Sequence, residues 1–165
     1  MTHRIGYSMS EQKPVNNNNQ PVFSIDKIYV KDLSMELPHA PKIFLNREQP
    51  NIELNLSFNS EKIDEGIYQT VLHAVINAKI GTEQMFLVEI DQVGIFQMRN
   101  IPQDQFDLLH NIECPNILFP YLREAVSDLT NRAGFAPVVL APVNFAYLYQ
   151  QKQQAQATPA TQSIN

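Results

Sequence analysis

Residues 66–96, GIYQTVLHAVINAKIGTEQMFLVEIDQVGIF, decide the fold. Tyr68, Leu72, Ala74, Ile76, Ala78 and Ile80 fall on one parity, while the other mixes Val71 and Val75 with Gln69, His73, Asn77 and Lys79. Period two is the pleat of a β-strand, in which successive side chains leave on opposite faces. The pattern resumes past Gly81: Phe86, Val88, Ile90, Gly94 and Phe96 share a face, and Leu87, Glu89 and Asp91 share the other. Gly81, inside KIGTEQ, suits a tight hairpin between the two runs.

The same period extends upstream. In NIELNLSFN, 51–59, Ile52, Leu54, Leu56 and Phe58 alternate with polar residues. In FSIDKIYVKDLSMEL, 23–37, Phe23, Ile25, Tyr29, Leu33, Met35 and Leu37 share one parity, with Ile28 and Val30 as exceptions. Between these two runs, PHAPKIFLNREQP carries three prolines, and its length suits a crossover rather than a hairpin. After Arg99 the period becomes helical. Leu118, Leu122, Ala125, Val126, Leu129 and Ala133 recur at helix spacing, and Gly134 stands where a C-terminal cap belongs. A shorter helix is expected around Gln103 to Asn111 and a last one from near Asn144. Four strands followed by helices predict an α+β domain: a four-stranded antiparallel sheet, a long crossover loop after the first strand, and helices packed on one face.

That plan leaves an apolar surplus. Helices hide one face, yet apolar residues occur on both, Ile28 and Val30 among them. Either another chain covers the second face, or it binds something apolar, or a loop folds over it. The ends look different again. Residues 1–22, with four consecutive asparagines from Asn16, read as a disordered arm, and 150–165 as a flexible polar tail. The folded domain is expected over 23–149.

Composition narrows the chemistry. With 12 basic against 17 acidic residues and a net charge of −5, the chain lacks the clustered cations that phosphate backbones require, so no nucleic-acid partner is expected. No apolar run approaches the roughly 20 residues of a spanning helix, so membrane insertion is not expected. The N-terminus shows no apolar signal core, and one cysteine suits a reducing compartment; the cytoplasm is the expected location. Nucleophile-elbow, zincin, P-loop and glycine-fingerprint motifs are all missing, and no cofactor is expected. His3, His39, His73 and His110 are far apart, with no second ligand at metal spacing.

Cys114 admits two readings. It sits in HNIECPNILFPYLREAV, 110–126, four residues after His110 and just before a helical run. A helix N-terminus or a histidine can depress a thiol pKa and make a nucleophile. Neighbouring Glu113 opposes a thiolate, and a free cysteine is commonly a small buried hydrophobe. The second reading makes Cys114 and Pro115 a structural junction between two helices.

Two stretches carry a family resemblance. CPNILFPYLREAVSDLTNRAGFAPVVLAPVNFAYLY, 114–149, closely resembles the C-terminal half of the SecB family of protein-export chaperones, and IYVKDLSMELPHAPKIF, 28–44, resembles its first strand and crossover. VGIFQMRNI, 93–101, is also similar, and the likeness runs over about Phe23 to Tyr149. The resemblance implies a non-enzymatic holdase: a cytoplasmic homotetramer, built as a dimer of dimers, that binds unfolded preproteins and passes them to the SecA translocase ATPase. Carried over, it implies SecA docking through Asp32, Glu36, Leu87 and Glu89. It implies a client groove of Ile52, Leu54, Leu56, Phe86, Phe145 and Tyr149, and subunit contacts at Val88, Ile90 and Gln92. Glu48 stands where family members carry a tryptophan, and the chain has no Trp. The arm is longer than in the family and the tail lacks an acidic cluster. The alternatives are a SecB-like chaperone of another system, such as a toxin–antitoxin pair, and a thiol enzyme using Cys114.

Overall fold

The structure, a computed structural model, describes residues 19–157. Of the arm read over 1–22 and the tail read over 150–165, residues 1–18 and 158–165 lie outside the described residues. β1 (Val22–Glu36), β2 (Asn51–Asp64), β3 (Ile67–Ile80) and β4 (Glu83–Arg99) form one antiparallel sheet in the order β1-β4-β3-β2. The crossover thus runs from one edge of the sheet to the other, anchored midway by buried Ile43 in a single 3₁₀ turn, Lys42–Leu45. Gly81 has φ +59° while Thr82 does not enter the positive region, the pattern of a type II′ hairpin with glycine first.

β1 corrects the two apparent exceptions. Its register against β4 shifts between Ile25 and Lys27 and again between Val30 and Asp32. Each β-bulge inserts one residue, Asp26 and then Lys31, and each reverses the parity of the residues beyond it. Ile28 therefore lies opposite Gly94 and Val30 opposite Gln92, on the same face as Ile25 opposite Phe96 and Leu33 opposite Ile90. Tyr29 moves to the other face instead, opposite Val93. Most of the surplus read from β1 disappears.

The covered face is the core. Leu72, Ala74, Ile76 and Ala78 of β3 and Phe86, Val88, Ile90 and Phe96 of β4 are buried there against Leu118, Leu122 and Val126. Burying each large side chain contributes roughly 1.5–3 kcal/mol. Gly94 lets the helix come close: a Cβ at that position would lie 2.6 Å from Phe96 and 2.8 Å from Leu118.

The helical part is α1 (Gln103–Leu108), a π turn over Leu109–Glu113, and α2 (Cys114–Arg132), joined without a break. The expected junction at Cys114 and Pro115 is instead a wide turn within one continuous helix. The turn includes Asn111, four residues before Pro115, whose carbonyl a regular α turn would press against the proline ring. Gly134 closes α2 with φ +88°, and the Phe135 N–H returns to the Thr130 carbonyl at 3.1 Å, as expected of a glycine C-terminal cap. α3 (Phe145–Ala157) starts where Asn144 Oδ1 accepts the Tyr147 N–H at 3.0 Å. It continues past Gln150, where the flexible tail was read; glutamine and alanine are good helix formers.

Candidate functional site

The covered face is not covered throughout. Between α2 and α3, residues 135–143 form neither helix nor strand. One buried hydroxyl holds them: Thr130 Oγ1 accepts the Val138 N–H at 3.0 Å and donates to the Val126 carbonyl at 2.9 Å. This segment tucks Phe135, Val138 and Leu140 inward while Val139, 67% exposed, faces out. Opposite it stand Ile52 and Leu54 of β2 and Met85 and Phe86 of β4, and the space between is a cleft of about 580 Å³. Its aromatic part is a stack in which Phe135 lies 5.2 Å from Phe86 and 5.1 Å from Phe44 of the crossover. Phe44 and Phe135 thus provide aromatic surface beside the cleft without a tryptophan at position 48. Glu48 itself is exposed, with its N–H bonded to Asn46 Oδ1.

Of the expected groove residues, Ile52, Leu54 and Phe86 line this cleft. Leu56 is half-buried against the core, and Tyr149 is half-buried on α3. Phe145 is almost fully buried, edge-on to Phe58 and Phe119 at 6.1 and 5.9 Å. The wall 135–143 was missed as a site. Its only sequence signal is an apolar, aperiodic run punctuated by Pro137 and Pro142.

Among the described residues no helix packs on the opposite face, and that face is acidic. Register places Glu36 opposite Leu87, Ser34 opposite Glu89 and Asp32 opposite Asp91, so Asp32, Glu36, Leu87 and Glu89 occupy adjacent rows of that face. β3 adds Asn77 beside Leu87, Val75 beside Glu89 and His73 beside Asp91. His73 Nδ1 is 2.6 Å from Asp91 Oδ1. Val88, Ile90 and Gln92 point the other way. They are 0, 1 and 2% exposed, with Gln92 Nε2 donating to the Tyr29 carbonyl, so within one subunit their side chains have no surface to offer a partner.

Cys114 is fully buried, and burial pushes its thiol up to about 12, opposed by a hydrogen bond with Thr70 and reinforced by Glu113. Such a group is protonated at neutral pH and out of reach of substrate, which removes the nucleophile reading. Among the described residues, no three His, Cys, Asp or Glu side chains form a group that could hold a metal ion. Nor is any helix among them long and apolar enough to cross a membrane.

An apolar cleft on one side of a sheet and an acidic patch on the other define a protein that works by binding other chains. Residues 16–156 match the family model described as SecB, preprotein translocase subunit SecB. The protein-export protein SecB of Nitrosospira multiformis is 56% identical over 151 residues, spanning 88% of this chain and 95% of the relative. Those of Methylobacillus flagellatus and Neisseria meningitidis serogroup B are 50 and 53% identical over 149 and 142 residues, spanning 90 and 86% of this chain and 95 and 97% of theirs. The chain belongs to the SecB family. Its fold also matches that of a solved SecB-like chaperone of Mycobacterium tuberculosis in complex with a peptide from the HigA1 antitoxin. That match has a TM-score of 0.62 and 16% identity, covering 74% of this chain and 91% of the other.

Proposed function

We propose that this protein is a holding chaperone for export: it binds unfolded preproteins in the cleft between β2 and residues 135–143 and delivers them to the SecA ATPase through the acidic sheet face. The observation that carries the reading is the placement of two unlike surfaces on opposite faces of one sheet. A client can occupy the cleft while a second protein docks behind it, so transfer needs no prior release. The cleft's apolar lining suits non-native chains, which expose what a folded protein buries. The work is binding rather than chemistry. A negative patch at Asp32, Glu36 and Glu89 around Leu87 favours a basic partner surface, with charge giving orientation and on-rate. Assembly as a homotetramer in the cytoplasm belongs to the same reading.

Ile52→Asp with Val139→Asp tests it. Both side chains reach solvent at the cleft, 41 and 67% exposed, so the pair leaves the core intact. The protein should slow refolding of a reduced secretory precursor, and the double variant, of unchanged light-scattering mass, should lose most of that effect. Equal holding by the two proteins would refute the cleft as client site.

A further inference from the structure

A second cavity, of about 700 Å³, opens at the other end of the sheet from the cleft, between the β2–β3 turn, the end of β4 and the start of α1. Its apolar wall is Tyr68, Met98, Ile101 and Phe106, with the Tyr68 and Phe106 rings edge-on at 5.0 Å. Its rim carries both signs of charge, on Arg99 and Glu65. The Arg99 stem lies across Gly66: a Cβ there would fall 2.6 Å from Arg99 Cγ, and Gly66 itself has φ +66°. Glycine in the turn thus leaves room for the guanidinium at the rim. Glu65 is paired with Lys62 Nζ at 2.8 Å, whereas Arg99 makes no ion pair among the described residues.

The N-terminal end of the described chain arrives at this mouth. Val22 pairs with Arg99 in the sheet, and Asn100, which also lines the cavity, donates from Nδ2 to the Gln20 carbonyl at 3.2 Å. Eighteen residues precede Asn19 in the sequence, and Glu11 is the only acid among them. We propose that the cavity is the docking site of this chain's own residues 11–15, EQKPV, with Pro14 and Val15 against Tyr68 and Phe106 and with Glu11 on Arg99. A chain spans at most about 3.3–3.6 Å per residue, so Val15 reaches up to about 14 Å from Asn19 and Glu11 up to about 28 Å. That is enough to enter a cavity whose mouth is at Gln20, and to cross it. Proline has a fixed φ and valine a restricted χ1, so both lose little freedom on docking against aromatic rings. The charges match as well, Glu11 to the unpaired Arg99 and Lys13 to the side of Glu65. Attachment at the mouth presents the segment at an effective concentration on the order of mM, ahead of any free chain. So occupied, the cavity withdraws an aromatic wall from unfolded chains and leaves them the cleft.

A photo-cross-linking phenylalanine analogue at position 15 of the full chain, in assemblies mixed from isotopically light and heavy protein, tests this. Digestion should give the arm peptide joined to peptides containing Tyr68 or Phe106, with both halves light or both heavy. Arg99→Glu should cut the yield roughly two- to five-fold, the range of an exposed ion pair, and Glu11→Arg in the same chain should restore it. Tethering beside the mouth without docking would be blind to both changes. Amide exchange gives a readout with the arm free of the probe. Pro14→Asp with Val15→Asp should speed exchange over Ile101–Leu108 several-fold and leave the middle of β3 and β4 unchanged. With the native arm, added unfolded precursor should not alter that exchange. Protection gained from the precursor would make the cavity a client subsite and overturn the proposal. Joined peptides of mixed isotope would place the arm in another subunit and overturn docking within the chain. Links formed elsewhere, or a yield and an exchange rate indifferent to these substitutions, would overturn it outright.

Discussion

His110 packs edge-to-face against Tyr68 and tilted against Phe106, ring centroids 5.8 and 5.2 Å away, with Nδ1 buried and without a hydrogen-bond partner among the described residues. Burial lowers its pKa from 6.5, against smaller raising effects of the Ser60 main chain and Asp107. The unfolded chain therefore takes up the proton first on acidification. Stability from keeping this ring neutral is complete above about 6.5 and is lost as pH falls from there through the lowered folded value. His110→Phe keeps the aromatic packing, removes the titration and buries no unpaired nitrogen. Thermal unfolding of both proteins between about pH 5 and 8 should show a shallower acid slope for the variant, with the two curves diverging below 6.5. Equal slopes would mean that the ring takes a proton without unfolding, through local opening of the π turn. Cys114, four residues on, shows the same force with the opposite consequence. Desolvation raises an acid and lowers a base, so each is kept neutral.

The cleft depends on a segment with no repeating structure, and its hold is Thr130. Thr130→Val preserves shape but removes the hydroxyl that accepts the buried Val138 N–H. Leaving that donor unpaired costs about 1–3 kcal/mol, and the cost falls on residues 135–143 rather than on the sheet. Amide exchange at Val138 should speed by one to two orders of magnitude or so, β3 and β4 amides should be unchanged, and client holding should weaken. Thr130→Ser, which keeps the hydroxyl, should restore all three. This segment also marks where the sequence ceases to be legible. The strands, the crossover, the Gly81 turn and the Gly134 cap come from period, length and local backbone preference, which neighbouring residues set. The two bulges of β1 do not, because only pairing with β4 reveals that Asp26 and Lys31 are the extra residues. The π turn reads as a helix boundary, since Pro115 breaks the local pattern whichever way the chain accommodates it. The wall at 135–143 is aperiodic, and a side chain from α2 fixes it. A buried position and a groove position have the same composition, which is why Phe86 lines the cleft and Phe145 belongs to the core.

At the scale of the molecule the sheet has two edges, and they differ. β2 borders the cleft. β1 presents 15 residues whose outer main chain pairs with no other strand among the described residues, and Phe23, Ile25, Val30 and Leu33 stay exposed beside it on the helix-bearing side. A long edge with an apolar border is a template for pairing, which proteins either blunt or use. Here the edge strand is long and its apolar residues are brought to one side by two bulges, which favours use. Two copies meeting through β1 about a two-fold axis would join their sheets and cover the apolar border, a self-complementary contact of the kind that builds a dimer of dimers. Val88, Ile90 and Gln92 fit this arrangement indirectly: they pair with Met35, Leu33 and Val30, so their packing sets the border's position without reaching the partner. If the proposed homotetramer is built through this edge, Ile25→Lys with Leu33→Lys should reduce the light-scattering mass from four chains to two or one, with circular dichroism unchanged, because neither side chain belongs to the buried core. A mass that stays at four chains would place the subunit contact elsewhere, with the exposed outer side of α2 around Tyr121 as the next surface to charge. The substitutions leave the lining of the cleft untouched, since Ile52 and Leu54 stand on β2, at the opposite edge of the sheet from β1, and the other wall is residues 135–143. Weaker holding in that variant would then measure the loss of several clefts acting on one long client, an effective-concentration effect, rather than damage to any one of them.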